Sequence, residues 1–189
     1  MFAVLVNFWV LIRIASQSKP MTAAAVMILV DEGKISLDDP VAKYLPAFAA
    51  TKVRAADGSL VDQASPMQVR HLLMHTSGLT YDFLPDFPSG ADYRAARIMN
   101  DPKRSLADLT DALATIPLAF QPGSRWHYSV GIDVAARLVE VISGRSLGDF
   151  MKERLFDPLS MKDTAFGVSA DRLGRLAAMY GHPDLMDAN

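Results

Sequence analysis

A serine, a lysine and a tyrosine stand in this sequence at places where helices are expected to begin. Ser16 and Lys19 lie three apart in RIASQSKP, and Tyr128 lies in WHYSVG, just ahead of a second apolar stretch. Residues three apart on a helical or 3₁₀ turn share a face, so the Lys19 ammonium can reach the Ser16 hydroxyl. A serine hydroxyl is a poor nucleophile until a neighbouring base takes its proton. Lys19 can take it directly or polarise a second base, and a tyrosine beside an ammonium ionises below its ordinary value of about 10. The chemistry this suggests is nucleophilic acyl transfer. Short patterns recur by chance, so two plainer readings stand beside it: a capping serine next to a solvated lysine, and a tyrosine packed in a Trp-His-Tyr cluster.

The elements that must position these groups are legible around them. Pro20 has no N–H and fits only the first turn of a helix, so the helix starts a few residues earlier and Ser16 falls at its N-terminus. Unpaired N–H groups and the dipole favour an oxyanion there. From Pro20 to Val30 only Thr22 is polar, which predicts a helix apolar on every side and buried all round, ended by Gly33 in a left-handed C-cap. ISLDDPVAKYLPAF reads as a short crossing and a helical turn closed by Pro46, and residues 50–65 as a small hairpin turning at Asp57-Gly58. Ser65-Pro66 is expected to open the next helix, with Val69, Leu72 and Leu73 inward. Residues 75–90 form a long loop of the kind that lines something. Helical patterns follow at 91–100 and at 105–115, the latter capped by Ser105. The segment 129–143 carries an inner stripe of Ile132, Ala135, Leu138, Val139 and Ile142, with Asp133 and Arg137 paired on the outside, before Gly144. A helix near 146–154, a β-like piece at 164–168 and a helix near 171–180 complete the pattern.

Composition narrows the function classes. The 189 residues are 50% hydrophobic, enough for one core and one domain, and 19 basic against 21 acidic side chains leave a charge of -2. No basic stripe interleaved with aromatics is present, which argues against a nucleic-acid partner. The chain has no cysteine, and its four histidines, at 71, 75, 127 and 182, lack zinc-ligand spacing, so neither a metal nor another cofactor is expected. MFAVLVNFWVLI at the start is too short to span a membrane and lacks the charged beginning of a signal peptide. It reads as a buried strand, with an atypical signal or an artefactual start as alternatives. A cytoplasmic location is the corresponding expectation.

Four stretches occur in one order: RIASQSKPMTAAAVMILVDEGKISLDDPVAKYLPAF, VRHLLMHTSGLTYDF, FQPGSRWHYSVGIDVAARLVEVISGRSL and FDPLSMKDTAF. Together, from about residue 11 to about 180, they resemble the serine β-lactamase-related family of class C β-lactamases, penicillin-binding peptidases and esterases. The resemblance implies an α+β fold that is mostly helical in this chain, a helical subdomain plus part of an antiparallel sheet. It implies Ser16 as the acylated nucleophile, Lys19 as its proton partner and Tyr128 as the base that also protonates the leaving group. Where family members often carry Tyr-x-Asn, this chain has Tyr128, Ser129 and Val130, a triplet like those of the esterase branch. Val130 cannot contact a substrate amide, so a small or medium carboxylic ester is favoured over a β-lactam or a D-amino-acid peptide. HTSGL resembles a stretch that shapes the loop beside the pocket, with His75 holding that loop. Val130, Trp126, Tyr81 and Phe83 are the candidate substrate contacts, core packing being the alternative for the aromatics. No K-[ST]-G, H-x-G or W-G-G triplet, the family's third motif, occurs here. A single domain over 1–189 without its first and last sheet strands is therefore expected, and a fragment that binds without turnover is the third alternative.

Overall fold

The computed structural model of the chain describes residues 10–84, 89–99, 101 and 103–180. The first nine residues of the apolar opening and His182 lie outside them. Of the rest of that opening, Leu11 forms a parallel bridge with Leu176, while Val10 and Ile12 are exposed rather than buried.

Helix α1 spans Ser18–Asp31 and is continuous with a 3₁₀ turn at Ala15–Gln17, so Pro20 does sit in a first turn and Ser16 just ahead of it. Its far end is a Schellman cap. The Gly33 N–H donates to the Val30 carbonyl and the Lys34 N–H to the Leu29 carbonyl, both at 2.9 Å, with Gly33 at φ +68°. The expectation of burial all round is corrected. Thr22, Ala25, Val26 and Leu29 are buried, but Met27 is 38% exposed, because the helices packed on α1 cover one side only.

Helix α5, Gly131–Ser143, is the hub against which α1 and three other helices pack: α2 (Val69–Leu73), α4 (Leu106–Thr115) and α6 (Leu147–Met151). Its expected stripe is buried at Ile132, Ala135, Leu138 and Val139, and Val134 and Ala136 join it, since a helix surrounded on several sides needs a wider apolar face. Leu29, Leu72, Leu113 and Met151 close around it. Each such side chain contributes about 1.5–3 kcal/mol by leaving water.

The hairpin forms as β1 (Val53–Arg54) and β2 (Leu60–Val61), antiparallel with Val53 opposite Val61, and Val53 also bridges Leu118 in parallel. Pro46 opens a further 3₁₀ turn, Pro46–Ala50, rather than closing the one before it, Val41–Lys43. Helix α2 begins three residues later than Ser65-Pro66 suggests. Val41 N–H donates to Met67 and Val69 N–H to Asp39, so 66–68 run extended against 39–41. Gln68 then caps the helix, its N–H donating to His71 Nδ1. Helix α3 spans Ser89–Ala95, and Ser105 caps α4 by accepting the Asp108 N–H at 3.1 Å. A π-helical turn, Lys152–Phe156, extends α6. Residues 164–168 are irregular, because no described segment offers them a strand to pair with, and the expected last helix is reduced to a 3₁₀ turn at Ala170–Arg175. There the chain turns to pair with Leu11 instead. Among the described residues no helix is long and apolar enough to cross a membrane.

Candidate active site

Packing of α1 against α5 brings together the starts of both helices, and with them the three side chains singled out above. Lys19 Nζ donates to Ser16 Oγ at 3.1 Å, and the Tyr128 hydroxyl lies 2.9 Å from the same oxygen. The Lys19 ammonium also stands 4.9 Å from the centre of the Tyr128 ring. Ser16 is exposed and its two partners are half-buried, so the hydroxyl faces solvent while the groups behind it are shielded. Ala15, immediately before it, has φ +43°, a left-handed conformation that costs an alanine about 1–2 kcal/mol. Sequence reasoning missed this position, since nothing in the residue type signals it.

Tyr128 is held from behind by the loop that starts at His75. The His75 carbonyl accepts the His127 N–H at 2.8 Å, and its Nδ1 accepts the Ser129 N–H at 3.2 Å, which fixes Nδ1 as the unprotonated nitrogen. These two bonds clamp the residues on either side of Tyr128, and the His75 ring tilts against the phenol at 4.8 Å. Thr80 Oγ1 meets His127 Nε2 at 2.7 Å. The loop approaches so closely that only glycine fits at 78. A Cβ there would lie 2.4 Å from the Phe120 carbonyl oxygen, at φ +86°.

The candidate substrate contacts separate into two groups. Tyr81 is buried with its ring 5.3 Å from that of Tyr128, and Phe83 stacks on Tyr81 at 4.9 Å while remaining exposed. Trp126 is also exposed and sits edge-on to His75. Of the three aromatics, Tyr81 meets Tyr128 directly, whereas Phe83 reaches it through Tyr81 and Trp126 through His75. Val130 is different: it is 1% exposed, its side chain turned into the core at the cap of α5, so it presents nothing to a substrate.

Electrostatics favour proton movement at this point. Burial pushes the Tyr128 phenol up, but hydrogen bonds to Lys19 and Ser16 and the Lys19 charge outweigh it and hold it below its ordinary value. Burial, then the charges of Lys19 and His127, push the His75 imidazole down, consistent with a neutral ring that accepts a backbone N–H. The expected Asp133–Arg137 pair does not form. Arg137 binds Glu140 at 3.0 Å instead, because three residues along α5 bring that carboxylate closer, and Asp133 faces the site. A hydroxyl with an ammonium and a phenol both in hydrogen-bonding reach has a path for its proton, which is the arrangement a serine nucleophile requires. Among the described residues no group of three or more His, Asp or Glu side chains converges to hold a metal.

Comparison with known proteins bears on this constellation. The family model described as Beta-lactamase matches residues 10–188. Esterase EstB of Burkholderia gladioli is 39% identical over 180 residues, 92% of this chain and 43% of the esterase. Lovastatin esterase of Penicillium rubens is 38% identical over 158 residues, 81% of this chain and 39% of its own length. In structure, EstCE1, a hydrolase with promiscuous acyltransferase activity, superposes with a TM-score of 0.74 at 31% identity, over 88% of this chain and 42% of its own. The chain spans about two fifths of the length of the curated relatives it matches.

Proposed function

Since the chain belongs to the Beta-lactamase family, we propose that Ser16, Lys19 and Tyr128 carry out serine acyl transfer on a small or medium carboxylic ester. The observation that carries this reading is the meeting of two proton-handling groups on one exposed oxygen, at 3.1 and 2.9 Å. In the first half-reaction the proton of Ser16 passes to the Lys19–Tyr128 pair as Oγ bonds to the ester carbonyl carbon. The C–O bond to the alcohol breaks, and Tyr128 returns the proton to the departing alkoxide. Water then repeats the sequence on the acyl-enzyme, releasing the acid and restoring Ser16. Tyr128, held below its ordinary range, supplies a base nearer to neutral pH than a free phenol.

An ester fits the surroundings better than an amide-bearing substrate. The position that would offer an amide contact is the core residue Val130, and the exposed Phe83 and Trp126 supply apolar walls for an acyl or alcohol group. Two of the relatives are themselves named esterases, which agrees with this preference. The test offers purified protein a short-chain nitrophenyl ester and a chromogenic cephalosporin, beside Ser16→Ala. Ester turnover that disappears in Ser16→Ala is the expected result. Preferential turnover of the cephalosporin would replace the ester reading by a β-lactamase one. Absence of both turnovers, together with absence of acylation at Ser16, would leave a binding fragment.

A further inference from the structure

A cavity of about 360 Å³ lies beside Lys19, between the first turns of α1, α4 and α6 and the face of α5 that runs from Ile132 to Glu140. Its polar lining includes Lys19, Thr22, Asp133, Glu140 and Ser146. Glu140 is already engaged, by Arg137 at 3.0 Å and by the Leu147 N–H at 3.1 Å. Asp133, by contrast, is bonded within its own turn, by its own backbone N–H. It sits in the first turn of α5, where the helix dipole favours a carboxylate, and Lys19 across the cavity is the cation that acts on it. In turn its negative charge is felt by the phenols of Tyr128 and Tyr81. The facing ends of α4 and α6 contribute Leu106 and Ser146–Gly148, none of them charged.

We propose that Asp133 is a positioning residue of this site, a counter-charge lining one cavity with Lys19, which itself stands 4.9 Å from the centre of the Tyr128 ring, and that it keeps the proton on the Tyr128 phenol beside Ser16. The inference rests on the acyl-transfer reading for its purpose, though not for its test. A half-buried negative charge near a phenol favours the protonated form of that phenol. Asp133 therefore raises the pH at which the Tyr128 phenol becomes basic, without touching the substrate. Burial holds Asp133 itself above its ordinary value and Lys19 opposes that, so the two charges depend on each other.

The experiment titrates the Tyr128 phenol by ultraviolet difference absorption in the whole chain, its signal assigned as the part lost in Tyr128→Phe. Asp133→Asn and Asp133→Ser, the latter still able to hydrogen-bond within the first turn, are compared with wild type and with Asp133→Glu after thermal melts establish folding. Both neutral variants are expected to shift the midpoint to lower pH, and Asp133→Glu to restore it toward wild type. A midpoint unmoved or raised in the neutral variants, or a glutamate that titrates as they do, overturns the proposal. Capture of wild-type Ser16 by a fluorophosphonate is measured alongside. Its failure would sink the acyl-transfer reading, while the titration midpoints would still decide the role of Asp133.

Discussion

Replacing Gly78 by alanine probes the contact that sets the loop behind Tyr128. Two costs separate. The left-handed backbone at φ +86° costs a non-glycine residue about 1–2 kcal/mol. The added Cβ would stand 2.4 Å from the Phe120 carbonyl oxygen, a main-chain atom that cannot rotate away, so the loop or residues 118–120 must shift. Overpacking of this kind costs about 1–3 kcal/mol. The sum is about 2–5 kcal/mol, and at 2–4 °C per kcal/mol for a chain of this size it lowers Tm by about 4–20 °C. Gly58 supplies the control, since it has the same φ of +86° with nothing within 4 Å of its would-be Cβ. Gly58→Ala should therefore show the backbone cost alone. Calorimetry on both variants isolates the steric part as their difference. Equal Tm losses would refute the close approach, and a Gly78→Ala protein as stable as wild type would refute both parts. The shift also moves His75 and Tyr81, so Gly78→Ala should slow acylation of Ser16 although it touches none of the three groups.

Tyr128→Phe removes the phenolic oxygen and keeps the ring, and should lower ester turnover by about 10²- to 10⁴-fold with little change in thermal stability, checked by steady-state kinetics and melting. Ala15→Gly relieves the left-handed backbone before Ser16 and should raise unfolding free energy by about 1 kcal/mol, read by denaturant melts. His71 and His75 each accept a backbone N–H through Nδ1. Burial, with Arg70 beside His71 and with Lys19 and His127 near His75, holds both below their ordinary value. Their stabilising contribution is complete above the unfolded value of about 6.5 and falls as pH drops through it toward their folded values. Denaturant melts across that range should show the decline, and His75→Asn should show less of it.

The parts of the fold that the sequence states most clearly are those decided within a few residues. Proline in a first turn located Ser16, serine before an acidic residue capped α4 through Asp108, and Gly33 closed α1. The Ser16–Lys19 contact belongs to the same class, because helical spacing alone creates it. Tyr128 reaches that oxygen across 112 positions, which residue order cannot specify; the packing of two apolar helices does. Errors arose where distant partners outcompeted local rules. Pro66 runs extended because residues 39–41 need its neighbours' backbone groups, and Asp133 faces a cavity that only the assembled helices create, whereas Arg137 was lost to a second local partner, Glu140 three residues on. Val130 looked like a substrate contact from its place in the Tyr-Ser-Val triplet, and the cap of α5 turns it inward.

The central claim is that one oxygen, activated by two neighbours, takes the acyl group. Intact-mass spectrometry of the protein, quenched in acid within seconds of mixing with a nitrophenyl ester, tests it most directly. One added acyl group mapping to Ser16 in wild type, and strongly reduced in Lys19→Met and Tyr128→Phe, is the predicted result. An unmodified Ser16 under conditions of ester turnover, or acylation undiminished in those two variants, would contradict it.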